Sequence, residues 1–413
     1  MSSLVLTNIA QLVNTANPLQ PLRGNAMKQL PLIKGAYLII EGGVIQSLGP
    51  MAELPSSAVR SGQVIDLSGQ TVLPGWCDSH THLVFPASRE EEFVMRIQGA
   101  SYAEIAAKGG GILNTARKLG AMSEDQLFSQ AWKRLEEISR LGTTSVEIKS
   151  GYGLSVEGEL KMLRVIKKLR ERSRLHIRST FLGAHAYPQE FQENHNGYIQ
   201  LIIDQMLPVI RREQLADYID VFCEKNYFDS FEAETIGLAG REQGLNVRVH
   251  AHQFALSGGV EVAVKLGAIS CDHLEYMDAA SIHLLAGSNT IGTLLPTAAF
   301  FLGLPFPPAR QMIDAGCAVA LATDYNPGSS PSGNMNLTLS MSCIQMKMLP
   351  EEAINAATIN GAFALDSGDQ VGSFAPGKRA DLIVTQPIPT LAYYPYSMGT
   401  SLIDRVMVAG EWI

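Results

Sequence analysis

Thr71-Val-Leu-Pro-Gly-Trp-Cys-Asp-Ser-His80-Thr-His82 is the stretch that decides the fold. Its first half is apolar and β-rich, and it runs directly into two histidines. Side chains alternate between faces in an extended segment, so His80 and His82 would project toward one point. Two imidazoles placed in this way suit a metal ion. A polar strand end with two solvated histidines is the alternative while this stretch alone is considered.

The chain around this stretch predicts a barrel in which it supplies the first strand. Seven further strands are predicted at 143–149, 175–183, 218–224, 245–250, 268–271, 290–295 and 318–322. The connecting segments have helical periodicity, as at 156–172 and 198–212, and Ser123 with Gln126 forms a capping box that opens a helix through Arg140. Two more helices, at 336–348 and 351–365, are predicted to follow. Strand and helix repeated eight times predict an α/β fold of the TIM-type (β/α)8 barrel class.

Short strands at the two ends of the chain predict a smaller β domain. Residues 36–40 and 44–48 flank the turn Glu41-Gly42-Gly43, which is typical of a hairpin. Residues 380–385 and 405–408 repeat that style. We therefore predict a small β-sandwich domain built from both chain termini, residues 1–67 and 370–413. The barrel and the helices that follow it would occupy residues 68–369.

Composition favours a soluble protein with a small-molecule partner. The chain has 413 residues, of which 46% are hydrophobic and 17% charged, and its net charge is -8. This balance argues against nucleic acid or an anionic membrane as a partner. The sequence shows neither a basic leader nor a long apolar run, so we expect a cytoplasmic protein. Its five cysteines contain no Cys-x-x-Cys pair and are expected to be buried as small hydrophobic residues.

Polar residues follow the predicted strands at their carboxyl ends, where active sites of this fold collect. They are His80 and His82 after strand one, Lys149 and Tyr152 after strand two, His185 after strand three, His250 and His273 after strands five and six, and Asp324 after strand eight. Five of the nine histidines lie at such ends. A lone histidine is more often structural, but this clustering favours a metal site.

The residues at the strand ends fit a hydrolytic zinc centre. Such a centre takes three or four His and carboxylate ligands and keeps a position for water, and His80, His82, His250 and Asp324 provide such a set. Water on the ion loses a proton near neutral pH and can attack a polarised carbonyl. Asp324 could accept that proton and pass it to a leaving nitrogen, which leaves His273 for the substrate carbonyl.

Several motifs resemble the amidohydrolase superfamily over nearly the whole chain. They are Gly75-Trp-Cys-Asp-Ser-His80-Thr-His82, His250, His273, the Thr323-Asp324 strand end and residues 372–384. Within it, Arg89 and the longer motifs at 148–154, 181–185, 272–276 and 324–329 resemble the enzymes that open the imidazolone ring in histidine degradation. The resemblance implies hydrolysis of 4-imidazolone-5-propanoate to N-formimidoyl-L-glutamate, with one Zn²⁺ or Fe³⁺ per chain, zinc being favoured. It also implies a homodimer.

The resemblance assigns roles to individual residues. The metal ligands would be His80, His82, His250 and Asp324, and the substrate-binding residues would be Arg89, Tyr152, His185, Gln253, Asn326, Gly328 and Ser329. Arg89 would hold the propionate, because a guanidinium binds a carboxylate in a bidentate manner. Backbone N–H groups and hydroxyls of the Gly-Ser loop would supply further donors to the anion. Taken singly, Arg89 beside Glu90 and Glu91 is more typical of a surface ion pair.

Two positions set the chain apart from some superfamily members or leave a point open. Related deaminases carry a proton-shuttling glutamate where this chain has Gln253, and an amide cannot act as a base. We therefore expect Asp324 and His273 to move protons, and His252 to be structural. Binuclear members carry a carboxylated lysine after strand four, and Lys225 keeps a second metal open. The alternatives are another cyclic amidohydrolase or an amidine deaminase; a non-catalytic barrel is disfavoured because all four ligands are present.

Overall fold

Sixteen strands form two sheets in the structure, a computed structural model that describes residues 3–100, 104, 110–398 and 400–413. The strands are β1 Leu4–Val13, β2 Leu32–Glu41, β3 Val44–Pro50, β4 Gln63–Asp66, β5 Thr71–Pro74, β6 Trp76–Asp78, β7 Thr143–Lys149, β8 His176–Ala184, β9 Tyr218–Cys223, β10 Asn246–Ala251, β11 Ser270–His273, β12 Ile291–Leu294, β13 Val319–Leu321, β14 Leu382–Thr385, β15 Ile403–Val408 and β16 Glu411–Trp412.

The α-helices lie mainly between the barrel strands and after them. They are Ser56–Ser61, Glu90–Ile97, Gly111–Ala121, Glu124–Arg140, Val156–Arg172, His195–Leu201, Leu207–Glu213, Ser230–Glu242, Gly259–Leu266, Ala279–Ala286, Pro296–Leu302, Ala309–Asp314, Met335–Met346, Pro350–Ala357, Ile359–Ala364 and Tyr393–Tyr396. Short 3₁₀ segments occur at Gly24–Lys28, Met51–Glu53 and Gln189–Phe191, and a π-helical turn at Ile202–Met206. Within the described ranges no helix is both long and apolar enough to span a bilayer.

Strands β6 to β13 form the predicted eight-stranded barrel. Their order in the sheet follows the chain, and each neighbouring pair is parallel. A parallel bridge between Thr81, just after β6, and Tyr325, just after β13, joins the two edges. All seven residues of β7 are buried, as expected for a parallel strand that is covered on both faces. The capping box of Ser123 and Gln126 is present at the start of Glu124–Arg140.

The second sheet joins both ends of the chain and confirms the predicted small domain. Its order is β16-β15-β14-β5-β1-β2-β3, with β4 paired to β1. The predicted hairpin is β2 and β3, and its turn residues Gly42 and Gly43 have positive φ angles of 58° and 81°. Leu38, Leu382 and Met407 share one core, so residues from both termini depend on each other for burial. The domain boundaries at 68 and 370 stay predictions.

The stretch Thr71–His82 passes from one sheet to the other. β5 pairs with β14 in the terminal sheet, whereas β6 pairs with β7 in the barrel. Gly75 lies between them, and a Cβ at this position would be 2.1 Å from Thr144 Oγ1, so only glycine allows this close approach. The strand predicted to end at His80 is therefore two short strands that belong to different sheets.

Two predicted helices differ from the structure. Segment 198–212 contains the π-helical turn Ile202–Met206 rather than one regular helix. Segment 351–365 is broken at Thr358, whose φ and ψ are -120° and -85°. Thr358 Oγ1 donates to Ile354 O over 2.6 Å and accepts from Asn14 Nδ2 over 2.9 Å. This buried contact with the residue that follows β1 outweighs the local helical preference.

Candidate active site

The predicted metal-binding side chains converge at the carboxyl end of the barrel. His80 and His82 follow β6, His250 lies in β10, and Asp324 follows β13. His82 Nε2 is 3.4 Å from His250 Nε2. Asp324 Oδ1 is 3.5 Å from both His80 Nε2 and His82 Nε2. Side chains more than 160 residues apart in the chain thus point at one small volume.

The chemical state of these groups fits a metal ion. Burial is the main cause that lowers the pKa of His80, His82 and His250, so the imidazoles are neutral and keep a lone pair for a ligand. His80 Nε2 is buried and makes no hydrogen bond within the described ranges. His80, His82 and His250 form one group with metal-binding spacing, and His80, His273 and Asp324 form a second.

Two carboxylates to which the sequence analysis assigned no role orient the histidines. His80 Nδ1 donates to Asp272 Oδ2 over 2.7 Å, and His250 Nδ1 donates to Asp220 Oδ1 over 3.0 Å. Each bond leaves Nε2 facing the common volume, which is the arrangement that supports metal-bound histidines. The sequence did contain a signal for one of them. Asp220 is the one charged residue of the buried strand Tyr218–Cys223, and a buried charge requires a partner.

Asp324 and His273, the two predicted catalytic residues, are held in unusual surroundings. Both have left-handed backbone conformations, with φ of 53° and 85°, of the kind that persists only where the surrounding structure imposes it. Burial raises the pKa of Asp324 to about 6. Burial lowers the pKa of His273, but the carboxylates of Glu275 and Asp324 outweigh this and raise it overall. His273 Nδ1 lies 3.4 Å from Glu275 Oε1.

A cavity of about 610 Å³ opens above these residues and is lined by all of the predicted substrate-binding side chains. They are Arg89, Tyr152, His185, Gln253, Asn326, Gly328 and Ser329, together with His82, His250, His273 and Asp324. The structure therefore brings the whole predicted set together around one space. Arg96 also lines this cavity and was not predicted.

Arg89 presents a guanidinium to this cavity. Its Nε donates to Thr115 Oγ1 over 3.0 Å, whereas its Nη2 is buried and makes no hydrogen bond within the described ranges. Its Cζ lies 5.7 Å from the centre of the Tyr152 ring. No ion pair of Arg89 with a carboxylate occurs in the part of the chain that the structure describes. A buried unpaired donor is costly, so the arrangement suits an anionic ligand.

The loops that carry the other cavity residues are held by side chains inside the protein. Glu159 accepts backbone N–H bonds from Gly151, Gly153 and Leu154 over 2.9, 2.7 and 2.9 Å, and so fixes the loop of Tyr152. The ring of His185 stacks on that of His82 at 5.1 Å. These contacts hold the cavity in shape before a ligand binds.

The loop that carries Gly328 and Ser329 uses its backbone donors within the protein. Their backbone N–H groups donate to Asn326 Oδ1 over 2.7 and 2.8 Å, so they are not free to bind an anion. Ser329 Oγ instead donates to Asp324 Oδ2 over 3.2 Å. Asn326 shapes this loop because one amide oxygen accepts two adjacent N–H groups.

The structure gives no support to a second metal ion held by Lys225, which the sequence analysis left open. Lys225 is exposed after β9 and lines a different cavity from the one that contains the histidines. The lysine beneath the site is Lys149, which is fully buried. His252 is buried and does not line the cavity, and its structural role stays a prediction.

Barrel, terminal sheet and histidine–aspartate cluster together define a hydrolase of the amidohydrolase class. A family model described as the amidohydrolase family matches residues 71–413. Solved structures with the same fold include an adenosine deaminase from Xanthomonas campestris with bound zinc, at TM-score 0.71 and 17% identity over 100% of this chain and 92% of that one. A guanine deaminase from C. acetobutylicum has TM-score 0.72 and 17% identity, with 100% of each chain covered.

Relatives of much higher sequence identity show to which group of the amidohydrolase family the chain belongs. The imidazolonepropionase of Flavobacterium johnsoniae is 50% identical over 410 residues, which are 99% of each chain. That of Christiangramia forsetii is 49% identical over 412 residues, which are 100% of each chain. The chain therefore belongs to the imidazolonepropionases of the amidohydrolase family.

Proposed function

We propose that the protein hydrolyses 4-imidazolone-5-propanoate to N-formimidoyl-L-glutamate in histidine degradation. One observation carries this proposal: the unpaired Nη2 of Arg89 and the histidine–aspartate cluster line the same cavity. A substrate with a carboxylate at one end and a cyclic amide at the other matches both features at once. The identity to imidazolonepropionases supports the same substrate.

The cluster would hold one metal ion through His80, His82, His250 and Asp324. Three neutral imidazoles and one carboxylate suit zinc, and we favour Zn²⁺ over Fe³⁺. When bound, such an ion supplies Lewis-acid polarisation and lowers the pKa of water. We leave His273 out of the ligand set because it is the histidine best suited to hold a proton. Burial lowers its pKa, but Glu275 and Asp324 raise it overall, whereas the pKa values of His80, His82 and His250 are lowered.

The side chains around the cavity orient the substrate. Arg89 binds the propionate, and Tyr152, His185 and Gln253 surround the ring. The amide of Gln253 can both donate and accept, which matches a ring that has N–H and C=O groups side by side. This placement holds the ring carbonyl against the cluster.

Asp324 and His273 are the acid–base residues of the reaction. Water adds to the ring carbonyl, and the bond from that carbon to the ring nitrogen breaks. One proton of the water goes to that nitrogen, and the new carboxylic acid releases the other to solvent. Asp324, a buried carboxylate next to the histidine cluster, accepts a proton from water and delivers it to the leaving nitrogen. His273 donates to the oxygen on which charge develops, and Glu275 stabilises its protonated form.

Turnover of 4-imidazolone-5-propanoate by metal-replete protein tests the proposal. We expect loss of the ring absorbance and formation of N-formimidoyl-L-glutamate in equal amounts. An amidine deaminase of the same fold would instead release ammonia from a cyclic amidine. Ammonia release, or no turnover of the imidazolone with a full complement of zinc or iron, would refute the proposed substrate.

A further inference from the structure

A cluster of buried charges lies beneath the histidines, and none of its members takes part in the reaction described above. It consists of Glu147, Lys149, Asp220, Arg248 and Asp272, all with fully buried side chains. Lys149 Nζ is 2.8 Å from Glu147 Oε1, 2.9 Å from Asp220 Oδ2 and 3.9 Å from Asp272 Oδ2. Burying an ammonium is costly, so these short contacts are needed to keep it charged.

Two of the three carboxylates that Lys149 approaches bind a proposed metal ligand, and the third binds the backbone beside one. Asp220 accepts from His250 Nδ1 over 3.0 Å, and Asp272 accepts from His80 Nδ1 over 2.7 Å. Glu147 Oε2 accepts the backbone N–H of Thr81, which separates the two histidines after β6, over 3.2 Å. One ammonium is therefore connected through one carboxylate each to His250 and His80, and through Glu147 to the backbone between His80 and His82.

The contacts of Lys149 also connect barrel strands that are not neighbours in the sheet. Lys149 and Glu147 lie in β7, Asp220 in β9 and Asp272 in β11. A second cation holds Asp272, because Arg248 Nη2 lies 3.4 Å from Asp272 Oδ2 and donates to Ser79 O over 2.6 Å. Asp220 has no such second cation within 4 Å in the described ranges, so its position depends most on Lys149.

From these contacts we propose that Lys149 is a positioning residue for the metal centre. It holds Asp220 and Glu147 in the places from which they orient His250 and the Thr81 backbone. The inference rests on the proposed function only in taking these histidines as metal ligands, and it is tested by metal affinity rather than by turnover. Failure of the substrate proposal would therefore leave it standing.

The direct test is the Zn²⁺ affinity of Lys149→Met in the full-length protein, measured by competition with a chromophoric chelator. Loss of a group that orients a ligand weakens metal binding by about 10- to 100-fold, and we expect a loss in that range. The visible absorption of the Co²⁺ form should change as well, because that spectrum reports the arrangement of the ligands. A variant that binds Zn²⁺ within about twofold of the parent overturns the proposal.

A matched control separates positioning from a general effect on folding. Lys378 is also a buried lysine, and its Nζ donates to Gly368 O, Val371 O and Ser373 Oγ over 2.6, 3.2 and 2.8 Å, outside the cavity. Lys378→Met should lower the melting temperature but leave Zn²⁺ affinity and the Co²⁺ spectrum unchanged. If it weakens Zn²⁺ binding as much as Lys149→Met does, the effect is one of folding and the positioning role is refuted.

If Lys149→Met does not fold, a charge-balanced variant tests the positioning role of Lys149 instead. Combining Lys149→Met with Glu147→Gln removes one charge of each sign, and the introduced amide still offers an oxygen to the Thr81 N–H. We expect this double variant to bind Zn²⁺ about tenfold or more weakly than Glu147→Gln alone, because Asp220 has lost its ammonium. Equal affinity of the two would refute the proposal.

Discussion

Replacing Arg89 tests the specificity of the cavity, because its guanidinium lines the cavity and has a buried Nη2 without a hydrogen-bond partner in the described ranges. Thr115 holds Nε at 3.0 Å, while Nη2 is buried without a protein partner in the described ranges, so the group is oriented before substrate arrives. Truncating one member of a buried, hydrogen-bonded charge pair costs about 2–5 kcal/mol. For Arg89→Ala this corresponds to a fall in kcat/KM of roughly 30-fold to several thousandfold. Arg89→Lys should recover only part, because an ammonium lacks the planar fork.

The assay compares 4-imidazolone-5-propanoate with an analogue that lacks the carboxylate, at measured metal content. The analogue should be a poor substrate of the parent and almost indifferent to Arg89→Ala, because the lost contact was never made. Arg164→Ala is a suitable control, since this arginine pairs with Glu213 on the surface with 40% of its side chain exposed. It should leave both substrates and the metal content unchanged.

Equal losses for the two substrates would refute this reasoning. Arg89 would then support the structure around Thr115 rather than bind the propionate, and the proposed substrate would lose its main structural support. A loss of metal from Arg89→Ala would point to the same conclusion, because Arg89 touches none of the proposed ligands in the described structure.

Three further outcomes follow from the site. Chelation should remove one metal ion per chain and abolish activity, as elemental analysis with Zn²⁺ or Fe³⁺ add-back can check; a reproducible second ion would contradict a mononuclear centre. His273→Ala should keep its metal and lose on the order of 100-fold in kcat, so near-normal turnover would remove His273 from the mechanism. Glu159→Ala leaves three backbone N–H groups without their acceptor, at a cost of about 1–3 kcal/mol each. The variant should have a lower melting temperature and a higher KM, because the loop of Tyr152 loses its support. An unchanged KM would show that this loop does not depend on Glu159.

Local features of the sequence were enough for most of the architecture. The short strand segments, the helical period between them and the capping box at Ser123 act over a few residues, and each is present in the structure. The same locality explains the errors. The break at Thr358 depends on Asn14, 344 residues away, and no local pattern contains that contact.

In the candidate site, too, some features were predicted from local sequence and others were set by tertiary contacts. The sequence by itself determined that polar residues end the strands of a parallel barrel, which is sufficient to bring His80, His82, His250 and Asp324 to one rim. It did not reveal the partners behind them, because a buried aspartate or lysine acquires its role only when distant strands meet. His80 and Asp272 are 192 residues apart, and Lys149 contacts Asp220 only because β7, β8 and β9 lie side by side. Tertiary structure alone decided these pairings, since a buried charge is stable only beside an opposite charge that closure of the barrel delivers.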